Sequence, residues 1–144
     1  MVFSKEVAIG NKDKSISLLD SQGTIMTTSN SHSSPLTALK FLDNNLLSTA
    51  DEEGIIKIWD RRIQDCVFTD NNQKNGPITC VDFSSNLDLL LCTSEGSLEH
   101  QTGSTLKAFD LRKENKSKSK LYASSVEMEE ELNCLQICQV FSKG

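Results

Sequence analysis

Hydrophobic and polar positions in this chain alternate over short stretches, and each stretch ends in a cluster of Asp, Asn, Ser or Gly. A period of two bounded by turn residues predicts antiparallel β-strands. The clearest case spans residues 44–62. Leu46, Leu47, Ser48, Thr49 and Ala50 form one apolar strand, Asp51-Glu52-Glu53-Gly54 a tight acidic turn, and residues 55–60 a β-branched strand ending at Trp59 and Asp60. Ile56 and Ile58 share one face, Ile55 and Trp59 the other, which predicts a sheet covered on both sides.

The same pattern predicts strands over residues 6–10, 15–20 and 24–29, then over 36–41, 46–50, 55–60 and 66–69. It continues over 78–83, 87–93, 105–110 and 121–126, with a last strand over 132–137. The runs LTALKF, ITCVDF and LNCLQI recur at spacings of 42 and 54 residues and mark an internal repeat. Asp20 and Asp60 lie 40 residues apart, but Asp60 and Asp110 lie 50 apart. The excess falls in residues 94–104 (SEGSLEHQTGS), where a tight turn belongs. It reads either as a longer surface loop, which loop-closure entropy tolerates, or as an unspliced or mis-spliced segment.

At Ile58-Trp59-Asp60 the chain resembles a WD repeat, the blade of a β-propeller whose third strand ends near a Trp-Asp pair. The resemblance implies an all-β, partial propeller of about three blades and the start of a fourth, all within residues 1–144. The blade remnants are 5–30, 31–72, 76–126 and 131–144. It also implies a buried hydrogen-bond chain through His32, Thr49, a turn acid and Trp59, with Glu53, six residues before Trp59, at the turn position. In the first remnant Asp13 holds that position and Leu19 replaces the Trp; in the third, Gly103 stands where the acid belongs.

Length conflicts with a closed ring. Blades of about 40–45 residues, at least four to a ring, need more than 144 residues. The chain is therefore expected to be a piece of a longer protein, or to assemble from several copies, with uncapped end blades that leave it marginally stable and prone to associate. Hydrophobic residues make up 37% and charged residues 24%, ordinary for a globular protein. A net charge of −5 excludes an overall basic nucleic-acid wrapper but not a local patch. The sequence holds no run long enough to span a membrane, and MVFSKEVAIG lacks the charged-then-apolar form of a secretion signal. Cys66, Cys80, Cys92, Cys134 and Cys138 then read as reduced, buried, small apolar residues.

Signals for catalysis are poor. His32 falls at the structural position of the repeat and His100 in the irregular stretch. Cys134 and Cys138 share a strand face, but no second Cys/His pair with zinc spacing accompanies them, so no metal site is expected. The sequence offers no Gly-rich phosphate loop and no nucleophile motif, hence no catalytic residue, cofactor or small-molecule substrate. Asp51, Glu52 and Glu53 read as a solvated turn. The basic run 111–120 (Arg112, Lys113, Lys116, Lys118, Lys120) reads as a solvated blade edge, a nuclear-import patch or an attachment point for RNA phosphates. No aromatics interleave it, so base stacking is not suggested.

Trp59-Asp60-Arg61-Arg62 is similar to the Trp-Asp-x-Arg box of WD-repeat substrate receptors, in which the Arg docks on the adaptor of a cullin-RING ubiquitin ligase. Asp110-Leu111-Arg112 echoes it without the Trp. The order of features from Asn11-Lys12-Asp13-Lys14 through His32-Ser33-Ser34-Pro35-Leu36 and Gly54-Ile55-Ile56-Lys57-Ile58-Trp59-Asp60 to Leu89–Ser94 and Glu131-Leu132-Asn133 resembles the WD repeat-containing protein 55 family. That resemblance implies a nuclear, nucleolar scaffold for ribosomal RNA processing and large-subunit biogenesis, with a cytoplasmic location as the other possibility. Such a scaffold acts by binding other proteins, pre-ribosomal particles among them. The alternative is a cullin-RING substrate receptor. Asp60, Arg62, Arg112, Lys113 and Lys116 are the candidate interaction surface.

Overall fold

A computed structural model of the chain describes residues 6–23, 25–28, 31–70, 76–86, 88–97, 100–112, 123–128 and 136. Every regular element among them is a strand: β1 (Val7–Gly10), β2 (Ile16–Leu19), β3 (Ile25–Thr28), β4 (Leu36–Phe41), β5 (Leu46–Asp51), β6 (Ile56–Asp60), β7 (Asp65–Asp70), β8 (Ile78–Ser84), β9 (Leu89–Ser97), β10 (His100–Asp110) and β11 (Ala123–Met128). They form three antiparallel meanders, β1-β2-β3, β4-β5-β6-β7 and β8-β9-β10-β11. Within each sheet every strand pairs with its neighbour in sequence, the arrangement that period-two patterning with Asp/Gly punctuation dictates.

The sheets lie against one another through their leading strands: β4 contacts both β1 and β8, and β5 also reaches β8. Close approach is written into Gly10, where a Cβ atom would stand only 3.1 Å from the Leu36 side chain. Between the second and third sheets sits the core, Leu42, Ala50, Ile56, Ile58, Ile78, Val81, Leu90, Cys92 and Phe109. Phe68 and Phe109 meet edge-to-face with ring centroids 6.0 Å apart. Both faces of β5 and β6 are covered, because a sheet inside a stack has no solvent face.

Ion pairs cross both sheet boundaries. Glu6 and Arg61 join the first sheet to the second, while Lys40 with Asp82 (2.8 Å) and Lys107 with Asp70 (3.3 Å) join the second to the third.

The third sheet corrects an expectation. The described residues of the stretch 94–104 are strand rather than loop. Within them β9 runs on to Ser97 and β10 begins at His100, in register Ser97↔His100, Glu95↔Ser104 and Ser94↔Thr105, with an irregularity between His100 and Ser104. Gly96 (φ 41°) and Gly103 (φ 104°) take left-handed backbone there, so the extra residues lengthen the ladder through a bulge. The second strand of this sheet begins at Leu89 rather than Leu87, since Asp88 at φ 47° belongs to the turn before it. The expected fourth-blade strand over 132–137 lies outside the described residues, apart from Gln136.

Candidate functional site

The polar centre of the second sheet starts from two residues of β5 that share a face, Thr49 and Asp51. In a strand, positions i and i+2 point the same way, and both side chains are fully buried. His32, in the loop leading into β4, inserts between them. Its Nδ1 lies 2.7 Å from Asp51 Oδ2 and its Nε2 2.7 Å from Thr49 Oγ1. Trp59, diagonal to Thr49 across the β5–β6 ladder, donates its Nε1–H to Thr49 Oγ1 at 2.8 Å.

Donor capacity fixes the direction of this relay. Indole Nε1 can only donate. Thr49 accepts from Trp59; at the other end the Asp51 carboxylate can only accept, so Nδ1 carries the proton, and Nε2 of the neutral ring then accepts the Thr49 hydroxyl. A neutral imidazole in one tautomer satisfies every atom. Burial pushes the His32 imidazole below its ordinary value of 6.5, and this outweighs the opposing hydrogen bond and charge of Asp51. Asp51 completes the corner: its Oδ1 accepts the backbone N–H groups of Glu53 and Ile55 at 3.0 and 2.9 Å. Gly54, at φ 80°, closes the turn.

The acid of this relay is Asp51, not Glu53, and the expectation of a solvated Asp51 is corrected with it. Glu53 is exposed and accepts a hydrogen bond from Ser33 Oγ at 3.0 Å. Hydrogen bonds from Ser34 and Ser33 hold its carboxyl below the usual range. It clasps the outside of the loop that carries His32. The sequence signal for Asp51 was available in its i+2 relation to Thr49; counting back from the Trp hid it.

The first sheet shows the same offset. Asn11 N–H bonds Ser15 O and Lys14 N–H bonds Asn11 O, as Asp51 bonds Ile55 and Gly54 bonds Asp51. Lys14 even shares the left-handed backbone, at φ 68°. The corner position is therefore Asn11, whose amide donates to Ser15 and Ser17 hydroxyls, while Asp13 accepts from Ser15 on the outside. In the third sheet Cys92 faces Lys107 across the ladder as Thr49 faces Lys57, and Phe109 stands where Trp59 does. An apolar pair fills the place of the relay.

At the other end of the strands lies a feature common to both complete sheets. Arg62 forks onto Asp60 through Nε (3.0 Å to Oδ1) and Nη2 (2.5 Å to Oδ2), and its N–H also bonds Asp60 Oδ1. Arg112 repeats this on Asp110 at 2.9 and 2.8 Å. Each carboxylate is largely buried, whereas the arginine side chains are 65% and 60% exposed. The arginine lowers the Asp60 pKa, and each arginine is raised by its aspartate, with Asp43 adding to Arg62 and Asp88 to Arg112. Lys113 and Lys116 lie outside the described residues. Among the described residues no group of His, Cys, Asp and Glu is arranged to hold a metal ion, and Cys134 and Cys138 fall outside them.

The lysines at equivalent third-strand positions were not singled out by the sequence. Lys57 Nζ bonds Ser31 O at 2.7 Å, and Lys107 Nζ pairs with Asp70 of β7. Each reaches from its own sheet to chain that precedes it.

Meandering four-stranded sheets stacked through their leading strands and pinned by a Trp–Thr–His–Asp relay are the blades of a WD-repeat propeller. The family described as "WD domain, G-beta repeat" matches residues 23–60 and 64–99, about half of the chain, and the chain belongs to it. It is similar to the WD repeat-containing protein 55 homologs of Drosophila persimilis, 32% identical over 112 residues (78% of this chain, 20% of the relative), and of Drosophila virilis, 30% identical over 135 residues (92% and 24%). The transcriptional regulatory protein UME1 of Saccharomyces cerevisiae is 27% identical over 117 residues (78% and 24%). The chain spans about a fifth to a quarter of the length of these relatives. WD repeats mediate protein–protein interactions and serve generally as non-catalytic scaffolds.

Proposed function

We propose that this chain is part of a nuclear, nucleolar scaffold, non-catalytic, that binds proteins of pre-ribosomal particles during ribosomal RNA processing and large-subunit biogenesis. Its contact surface includes Asp60, Arg62 and Arg112, and the basic residues Lys113 and Lys116 that follow Arg112 in the sequence are proposed to take part. The observation that carries this reading is the repeated fork. Two successive blades each present a guanidinium already oriented by a buried carboxylate, with its outer N–H groups turned to solvent. A preoriented donor loses little freedom on binding. Bidentate recognition suits carboxylates or phosphates on a partner surface. Support for the process comes from the resemblance to the WD repeat-containing protein 55 family, whose homologs are among the relatives, and the nuclear location is in keeping with the transcriptional regulator among them. His32, Thr49 and Asp51 are all buried, so this Asp–His–hydroxyl chain faces the inside of the blade rather than a substrate in solvent, which supports a structural reading of it.

The test is capture from nuclear extract with the tagged chain and with the double variant Arg62→Ala, Arg112→Ala. Large-subunit precursor proteins should be enriched by the first and lost from the second, with the far-ultraviolet spectrum unchanged. Equal recovery by both would overturn the assignment of the surface. Loss of a cullin-RING adaptor on Arg62→Ala alone would instead favour a substrate receptor.

A further inference from the structure

One residue before Arg62, Arg61 helps to line an open, cleft-like cavity of about 410 Å³ together with Glu6, Phe41, Leu42, Asp43 and Asn44. Its charges are unequal in availability. Arg61, with a side chain only 21% exposed, has both terminal nitrogens engaged, Nη2 with Glu6 and Nη1 donating to Asn44 O at 2.7 Å; its guanidinium lies over Phe41 at 5.7 Å, and its Nε–H is buried without a partner among the described residues, shut away from any ligand in solvent. The two carboxylates are only half engaged. Glu6 uses one oxygen on Arg61, and Asp43 uses Oδ1 to receive the N–H groups of Asn45 and Leu46 at 2.6 and 2.7 Å. Among the described residues, Glu6 Oε1 and Asp43 Oδ2 have no hydrogen-bond partner.

We infer that this cavity receives a basic side chain, Arg or Lys, of a partner protein seated on the Arg62 face. A cation would find two acceptor oxygens, and its apolar stem would lie against Phe41 and Leu42. An anion would meet two carboxylates and an arginine whose terminal nitrogens are already occupied. An apolar group would strip water from two charges and return nothing. Asp43 ties the cavity to the fork, since its charge also acts on Arg62. The partner segment is therefore expected to place a basic residue in the cavity and an acidic one on Arg62. The inference rests on the reading of this face as a contact surface, and it adds the partner's charge pattern.

The cavity can be tested without the partner. N-acetyl-arginine amide is titrated into the ¹⁵N-labelled chain, with N-acetyl-glutamate amide as the control. Amide shifts are expected at residues 41–46 and 61–62 with the arginine probe only, at millimolar affinity. Asp43→Asn keeps the Oδ1 acceptor of the turn but removes the charge; it should weaken the probe by at least about fivefold, as loss of a charge-assisted hydrogen bond does. Glu6→Gln should act in the same direction. Equal shifts with the glutamate probe, no shifts up to about 50 mM, far above millimolar affinity, or unchanged affinity in Asp43→Asn would overturn the inference. If the arginine probe binds while the extract capture is insensitive to Arg62 and Arg112, the cavity stands and the forked surface falls.

Discussion

His32 Nδ1 lies 2.7 Å from Asp51 Oδ2 with both side chains shut away from solvent, and this contact joins the loop before the blade to the corner between its second and third strands. Because Thr49 and Trp59 complete the same relay, one buried imidazole ties together chain segments that are far apart in sequence.

Removing Asp51 would leave the His32 Nδ1–H and the Glu53 and Ile55 N–H groups without their acceptor. Asp51→Ala should destabilise the chain by about 3 kcal/mol, the scale of an opened buried polar network. Glu53→Ala, at an exposed position, should leave the urea midpoint nearly unchanged. Trp59 is the sole tryptophan and sits in the relay, so its fluorescence reports both unfolding curves.

Acid should loosen the same blade. The folded pKa of His32 lies below 6.5, so the unfolded chain binds more protons once pH drops beneath that value. The stability this group contributes is complete above 6.5 and is lost as pH falls through the folded pKa. As pH falls below 6.5 toward that lowered folded pKa, the urea midpoint should decline. In His32→Gln the slope over this interval should be shallower; an identical slope would contradict the assignment.

The two partners of the boundary between the second and third sheets should not behave alike. Lys107 is buried and Asp70 partly exposed. Asp70→Ala abandons a buried ammonium and should cost about 3 kcal/mol, whereas Lys107→Met replaces it with an apolar chain of similar length and should cost less than about 1 kcal/mol. Chemical denaturation of both variants decides the order.

Burial pushes the Cys92 thiol up to about 12, so its thiolate is scarce at ordinary pH. Brief iodoacetamide treatment of the native chain at pH 8 should label Cys66 and Cys80, both half-buried, well ahead of Cys92. Peptide mass mapping reads the order, and early labelling of Cys92 would contradict the packing described.

The strands of the second sheet were legible because β-branched alternation and the 51–54 turn leave little choice of register. The relay was legible in His32, Thr49 and Trp59 but not in its acid, since a count back from Trp59 reaches Glu53, whereas the i+2 relation to Thr49 puts Asp51 on the shared strand face. Ser, Gly and Glu made residues 94–104 look like loop; two glycines in left-handed backbone let them pair instead. The clamps of Lys57 and Lys107 were hidden because their partners, Ser31 O and Asp70, lie on earlier strands and loops, a relation no local pattern carries. Likewise the Glu6–Arg61 cavity exists only once the first two sheets meet.

The most direct test of the account is the tautomer of His32, read from the imidazole ¹⁵N shifts of the folded chain at pH 7.5. The relay predicts a single neutral form with the proton on Nδ1 and none on Nε2. A proton on Nε2, or rapid averaging between the two nitrogens, would contradict the relay and with it the fixed structural role assigned to His32.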